Sequence, residues 1–282
     1  MNRLDHRIGV VGAGNMGEAM MGAMIRSQLV RPEQVCISDI RPERLLQLEK
    51  AYGVSTTDDN RSLFMNNDVV VVAVKPQQID ALLDEITVGG IAVCTRKLVI
   101  SIAAGITLKR FEDRLYATLD EAARQRLPIV RVMPNTPALV LAGMTGMSPN
   151  ANAAEADVAV TRAIFEAMGR VNQFDEKDLD AVTALSGSGP AYVFYLAEAM
   201  IAGGVAAGLD PDAAATLSLA TLEGAVKLMA ASQEPPETLR QRVTSPGGTT
   251  EAAVGILDRA QVHQHIVDAI VAAAERAREL SR

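Results

Sequence analysis

The residues whose types and spacing could do chemistry stand late in the chain, in Ser245-Pro246-Gly247-Gly248-Thr249-Thr250-Glu251. Two adjacent glycines free the backbone for positive φ and for close approach to a ligand. Pro246 removes one donor and fixes the entry to the turn. Thr249 or Thr250 suits the N-cap of a helix predicted over 251–260. Such a loop aims several backbone N–H groups at one point, beside the positive end of a helix dipole. A carboxylate or a phosphate fits there. Taken alone, the same residues would also serve as a Gly-rich helix start with no ligand.

A second group lies near the other end. Gly12-x-Gly14-x-x-Gly17 follows an apolar run and precedes a helical pattern, the context that gives this spacing meaning. Gly12 is expected at the tight turn and Gly14 where backbone meets a pyrophosphate. Gly17 is expected where the helix packs on the sheet, and Asn15 and Met16 lie between. The position after the second strand reads the adenosine ribose. Asp39 stands there as an NAD-type acid, while Arg41, two residues on, suits a 2′-phosphate, so the pair points both ways. Ala73-Val74-Lys75-Pro76-Gln77 closes a Val-rich run at the carboxyl end of a strand, where ligands of open parallel sheets bind. A plain surface lysine after a strand would look no different. Ser101-Ile102-Ala103-Ala104-Gly105 ends the next strand in small residues, as close approach of a nicotinamide requires, and Met133-Pro134-Asn135-Thr136-Pro137 ends the one after.

The elements that must hold these groups follow from the apolar pattern. Strands are predicted at 8–12, 35–38, 68–74, 98–103 and 129–132, with a last one at 171–174. Helices are predicted from the fingerprint to about Leu29, over Pro42–Tyr52 with Gly53 as the stop, over 112–127 as one charged surface helix, and over 151–168. Continuous apolar strands alternating with helices imply an α/β fold, a Rossmann-like doubly wound parallel sheet covered on both faces. From Glu176 on, strand candidates all but vanish. Helices are predicted over 177–185, from Pro190 to near Gly208, from the Asp210-Pro211 cap to about Ser232, and on to the end of the sequence. The boundary is therefore set at 175/176, with residues 1–175 binding dinucleotide and 176–282 an all-α domain. Ala199, Ala202, Gly203, Gly204, Ala206 and Ala207 allow close helix packing, within the domain or across a helical dimer.

Composition sets the outer bounds. The 282 residues are 49% hydrophobic, enough for a sizeable core in one large domain or two ordinary ones. A net charge of −7 without a basic stripe argues against nucleic acid. Cys36 and Cys94 fall in apolar runs and read as buried free thiols of a reducing compartment. No signal-peptide pattern opens the sequence, and no apolar run approaches the ~18 residues of a membrane span. The expectation is a cytoplasmic protein with no membrane partner. His6, His263 and His265 make no metal-ligand pattern, so no metal is expected.

Taken together, the motifs resemble those of the pyrroline-5-carboxylate reductase family. The pieces are Gly12 to Gly17, Ala73 to Gln77, Arg131 to Pro137, Leu185-Ser186-Gly187-Ser188-Gly189-Pro190-Ala191-Tyr192, and Val243 to Thr250. They fall in family order from residue 8 to about 260. The resemblance implies reduction of 1-pyrroline-5-carboxylate to L-proline by NADPH, with NADH possible. It implies a dimer built through the helical domain and a substrate site where the Gly-rich loop meets the nicotinamide. It places the fingerprint residues Gly12, Gly14, Asn15, Met16 and Gly17 at the cofactor with Asp39, Asn60, Lys75 and Ala104; Arg41, Ala73, Val74, Pro76 and Ala103, expected there from their positions at strand ends, complete the set. Glu176, Ser245, Gly247, Gly248, Thr249 and Thr250 are placed at the substrate, with Thr250 as the catalytic hydroxyl. A hydroxyl both donates and accepts, so it suits a proton on the imine nitrogen.

Three features depart from the family pattern: a longer connection at 116–126, Gln233 with the acid shifted to Glu234, and Arg242 where some members have Asn. Two other readings share the two-domain plan. β-Hydroxyacid dehydrogenases use a lysine on the long helix of the second domain, and no lysine occurs between Lys177 and Lys227. A non-catalytic dinucleotide sensor would not need the carboxylate loop.

Overall fold

The Val-rich run at 69–72 shows how the first part of the chain is built. In the computed structural model, which describes residues 3–281, Val69–Val72 forms β4 with all four side chains buried. Val69 and Val71 pack into one apolar cluster and Val70 and Val72 into another. A strand covered on both faces needs this continuous run. The eight strands, in the order β3-β2-β1-β4-β5-β6-β7-β8, are Ile8–Val11 (β1), Val35–Ser38 (β2), Ser55–Thr57 (β3), β4, Leu98–Ser101 (β5), Ile129–Met133 (β6), Gly143–Pro149 (β7) and Gly169–Gln173 (β8). All pairs are parallel except β6 with β7, where Val130 faces Pro149 and Met133 faces Gly146. The order turns back at β1, between β2 and β4, which creates the crevice at their carboxyl ends.

One face of the sheet is covered by α1 (Asn15–Arg26), α2 (Pro42–Tyr52) and α7 (Glu155–Glu166), through Met20, Met24, Leu48 and Phe165. The other is covered by α3 (Asn60–Asn66), α4 (Ile79–Thr87), α5 (Leu108–Leu115) and α6 (Glu121–Gln125), through Phe64, Leu83, Phe111 and Ala123. The predicted helix over 112–127 is therefore two helices. Thr107 caps the first, accepting from the Arg110 N–H at 3.2 Å, and Asp120 caps the second, accepting from Ala123 at 2.7 Å. Between them Tyr116 and Leu119 turn inward, and the Tyr116 hydroxyl donates to the Leu127 carbonyl at 2.6 Å. The two cap signals outweigh the continuity of helix-favouring residues, and the segment is buried on one side rather than a surface helix. Cys94 is also not as expected: it is exposed in the connection before β5, while Cys36 on β2 is half-buried. Both thiols are free.

The chain separates into two units, Arg3–Ser188 with Ala273–Ser281 and Gly189–Ala272. In the first, α8 (Leu179–Val182) passes into a wider π-type turn over Thr183–Gly187, held by the Asn135 amide donating to the Ser186 carbonyl at 3.1 Å. The second holds α9 (Gly189–Ala206), α10 (Pro211–Ser232), α11 (Pro236–Arg242), α12 (Thr249–Arg259) and most of α13 (Val262–Leu280). Asp210 caps α10 through the N–H groups of Asp212 and Ala213. α10 is long and apolar enough to cross a membrane by length and composition, with a mean hydropathy of 1.2. That corrects the expectation that no stretch approaches such a length.

Candidate active site

The crevice at the end of β1 is shaped by the glycine fingerprint. Gly12 has φ 105, and a Cβ there would stand 2.8 Å from the Ala73 carbonyl oxygen. A Cβ on Gly17 would overlap the Gly12 carbonyl oxygen, so α1 can lie this close to the turn only without one. Gly14 differs: it is the N-cap of α1 with φ −71, and a Cβ there would meet nothing within 4 Å. Its emptiness faces a cavity of about 610 Å³ at the positive end of α1, where the free N–H groups of a helix start favour a phosphate. The space that a Cβ at Gly14 would fill is what a pyrophosphate needs, so the residues fit a dinucleotide.

Gly12, Gly14, Asn15, Met16, Asp39, Arg41, Asn60, Ala73, Val74 and Lys75 all line that cavity. Gly17 and Pro76 stand behind it. Gly17 supports the turn, and Pro76 opens the 3₁₀ turn after Lys75. Ser38, Ile40 and Gln78 also line it, and sequence reasoning missed them. Ile40 is 82% exposed, an apolar surface beside the ribose position. The signal was there, since an apolar residue between Asp39 and Arg41 has no core to enter. Asn60 is the first residue of α3. Its side-chain oxygen Oδ1 accepts from the Ser38 hydroxyl at 2.7 Å and its side-chain Nδ2 donates to Glu85 at 3.0 Å.

The Asp39 carboxylate is only 9% exposed and is saturated with donors. It accepts from the Ala13 N–H at 2.9 Å, the Arg41 N–H at 3.0 Å, and Arg41 Nε and Nη2 at 2.8 and 3.1 Å. The Arg41 guanidinium above all, with the two backbone N–H groups, holds the Asp39 carboxyl below the usual carboxylate range. Asp39 thus fixes the fingerprint turn and Arg41 together. A ribose hydroxyl would have to compete for an acid already engaged, whereas Arg41, with its side chain 60% exposed, has room to turn toward a phosphate.

Beyond β5, Ala103 is buried and Ala104 exposed, with the Ala103 N–H donating to Ser101 Oγ at 3.3 Å. Neither lines the 610 Å³ cavity. Glu176, expected at the substrate, is committed within the same unit. Its Oε1 accepts from the Leu108 N–H at 2.6 Å and from the buried Arg131 at 3.3 Å.

In the second unit the Gly-rich loop is laid out differently from the expected cap. The N-cap of α12 is Gly248, without a side-chain bond, and Thr249 and Thr250 are the first two residues of the helix. Gly247, with φ 73, donates to Glu251 Oε2 at 2.7 Å, and the Gly248 N–H donates to the Ser245 carbonyl at 3.0 Å. The N–H groups of Thr249 and Thr250 have no acceptor within the helix. Among the described residues, the Thr250 hydroxyl makes no hydrogen bond. Two departures from the family pattern meet beside this loop: Arg242 donates to Glu234 at 2.6 Å.

Comparison with known proteins now bears on this geometry. Residues 176–280 match the family described as pyrroline-5-carboxylate reductase dimerisation, and residues 7–105 the one described as NADP oxidoreductase coenzyme F420-dependent. The pyrroline-5-carboxylate reductase of Methanosarcina acetivorans is 37% identical, with 99% of each chain covered. The chain belongs to the pyrroline-5-carboxylate reductase family. A solved pyrroline-5-carboxylate reductase from Coxiella burnetii is similar at TM-score 0.88 and 35% identity, covering 99% of this chain and 100% of that one. The pyrroline carboxylate reductase of Plasmodium falciparum, solved with NADP bound, is similar at TM-score 0.85 and 28% identity, with both chains covered in full. These findings do not favour the hydroxyacid-dehydrogenase or sensor readings.

Proposed function

We propose that this protein reduces 1-pyrroline-5-carboxylate to L-proline, taking the hydride from NADPH, with NADH as the alternative donor. The observation that carries the reading is the Ser245–Thr250 loop: a helix start with unclaimed N–H groups beside an unbonded hydroxyl, in a chain that also holds a dinucleotide crevice. The substrate is a small cyclic imine with one carboxylate. That carboxylate is held by the loop, through the N–H groups of Gly248, Thr249 and Thr250, with Ser245 shaping the turn. Donors bound inside the loop, those of Gly247 and Gly248, are reached by displacing Glu251 and the Ser245 carbonyl. The Thr250 hydroxyl keeps the proton on the imine nitrogen, which leaves the imine carbon electron-poor. The bound dinucleotide supplies the hydride; the protein supplies position and charge. Hydride adds to the imine carbon, the C=N double bond becomes single, and the nitrogen retains its proton.

Gly12, Gly14, Asn15, Met16 and Gly17 shape the pyrophosphate cradle. Ala73, Val74 and Lys75 form the wall after β4 with Pro76 supporting it from behind, Asn60 closes the side beside Ser38 at the end of β2, and Ala103 and Ala104 lie on the nicotinamide side. Arg41 receives the 2′-phosphate, and Asp39 orients Arg41. What supports a functional boundary at 175/176 is the change of element type, since β8 ends at Gln173 and, among the described residues, every later element is a helix.

The helical half builds a homodimer. Phe194, Tyr195, Leu217, Leu219 and Ile256 are exposed on its helices, more apolar surface than a self-contained unit leaves open. The apolar character of α10 belongs to that face rather than to a bilayer, because Glu223 and Lys227 pair on it at 2.5 Å. The protein is cytoplasmic and binds no nucleic acid, in keeping with its charge of −7. The test follows oxidation of NADPH and of NADH side by side with 1-pyrroline-5-carboxylate. Faster turnover with NADPH, with L-proline formed in equal amount, is expected. No proline with either cofactor would overturn the assignment.

A further inference from the structure

The first unit contains a charge cluster that the reading above leaves unused. Arg131, on β6, is 5% exposed, and its guanidinium donates to Glu176 Oε1 and Asp180 Oδ1, both at 3.3 Å. Each acid holds one more group. Glu176 Oε1 takes the Leu108 N–H at 2.6 Å, at the start of α5, where a helix dipole favours a carboxylate. Asp180 Oδ1 takes the Ser281 hydroxyl at 3.1 Å, in the last turn of the described chain. The neighbouring Leu280 carbonyl oxygen lies 3.2 Å from where a Cβ on Gly105 would be, and Gly105 has φ 74.

Leu108 and Gly105 belong to one connection, the loop from the end of β5 into α5 that carries Ala103 and Ala104. The loop is fixed at three points: Ala103 on Ser101, Gly105 against Leu280, and Leu108 on Glu176. We infer that Arg131, Glu176 and the C-terminal turn form a clamp that positions the Ala103–Ala104 segment against the nicotinamide, so that Glu176 is a positioning residue and not a substrate ligand. The inference rests on the NAD(P)H reading of that segment. Charge favours it too. An anionic substrate is repelled by a carboxylate, and this carboxylate already compensates, together with Asp180, the buried Arg131 guanidinium. A wall displaced by about 1 Å misaligns hydride transfer, which can cost on the order of a hundredfold in rate.

The test uses Glu176→Gln, Glu176→Ala and Gly105→Ala in the full chain. Gln keeps an acceptor for the Leu108 N–H and Ala does not, while a methyl on Gly105 presses on the Leu280 backbone from the other side. In the cofactor-free protein, amide hydrogen exchange over residues 102–108 is expected to quicken in Glu176→Ala and Gly105→Ala and to stay near wild type in Glu176→Gln. With NADPH, the same two variants are expected to lose kcat by roughly ten- to a hundredfold and to show a changed isotope effect with NADPH deuterated at C4. The KM for 1-pyrroline-5-carboxylate stays within about twofold, the sensitivity falling on orientation rather than on binding. A raised KM for pyrroline carboxylate with unchanged exchange would make Glu176 a substrate ligand and overturn the clamp, as would no change in any of these. If Glu176→Ala does not fold, Gly105→Ala set against Glu176→Gln carries the same contrast. Failure of the wild type to turn over pyrroline carboxylate would sink the functional reading, yet the exchange measurement would still decide whether the clamp exists.

Discussion

Placing one methyl group on each fingerprint glycine separates stability from binding, because the three positions differ in what surrounds them. At Gly14 a Cβ meets nothing within 4 Å, and φ −71 is open to any L-residue. Gly14→Ala should therefore fold as well as wild type, and gain up to about 0.4–1 kcal/mol from the stiffer unfolded chain. The added methyl instead stands where we propose that the pyrophosphate binds. Forcing a methyl into a filled space costs about 1–3 kcal/mol, which is a weakening of NADPH binding by roughly five- to 150-fold. Gly14→Val should abolish measurable binding in a folded protein. Gly17→Ala behaves in the opposite way, since its methyl overlaps the Gly12 carbonyl oxygen, backbone that cannot swing aside. It should lower the thermal midpoint before it touches affinity. Thermal midpoint and NADPH fluorescence titration on the same preparations check both. Wild-type NADPH affinity in folded Gly14→Val, or loss of the fold in Gly14→Ala, would refute the reasoning.

Three further expectations can be checked on the same footing. Thr250→Val removes a hydroxyl that caps nothing, since Gly248 is the N-cap. Its thermal midpoint should stay near wild type while kcat falls on the order of ten- to a thousandfold, as when a donor to developing charge is removed; an unchanged kcat would deny Thr250 its role. Arg41→Ala should raise the KM for NADPH more than for NADH, and should also release Asp39 from the guanidinium that holds its carboxyl low; equal changes in both KM values would remove Arg41 from the 2′-phosphate. Lys97, buried over Phe64 and donating to the Asn67 carbonyl, has its pKa lowered by burial to about 8. In the folded state it loses its proton before the unfolded chain does, so its penalty is complete below pH 8 and relieved between about 8 and 10.5, by at most about 3 kcal/mol. The stability of wild type relative to Lys97→Met should therefore rise with pH across that window, measured by denaturant titration, and a falling difference would contradict it.

What the sequence made legible is what a local pattern can encode. The Pro42–Tyr52 helix, with Gly53 after it, stands as read, and so does the Val-rich strand buried on both faces. The fingerprint needed only its own spacing and the strand before it. β7 was not legible, because Gly143-Met144-Thr145-Gly146-Met147-Ser148-Pro149 has no alternation and only Thr145 is β-branched; its place is fixed by pairing with both β6 and β8. β3, Ser55-Thr56-Thr57, is a three-residue polar edge strand with no apolar residue to mark it. The 112–127 segment misled because helix-favouring residues run through it, while the inward turn of Tyr116 depends on Leu127, Asn150 and Asn152. Glu176 is the sharpest case at the site. The family resemblance alone places it at the substrate, and only the fold brings Arg131, from 45 residues earlier, beside it. The Gly-rich loop was legible as a helix start, but the choice of Gly248 as cap, with Glu251 reaching back to Gly247, depended on backbone geometry that two adjacent threonines disguise.

The central claim is that a hydride passes from the nicotinamide ring to an imine carbon in this protein. It is tested most directly by supplying NADPH deuterated at C4, one face at a time, with 1-pyrroline-5-carboxylate, and locating the label in the product. The account predicts L-proline carrying one deuterium at the ring carbon that had been the imine carbon, from one face of the cofactor only. Proline without the label from either cofactor, or label at any other carbon, would contradict it.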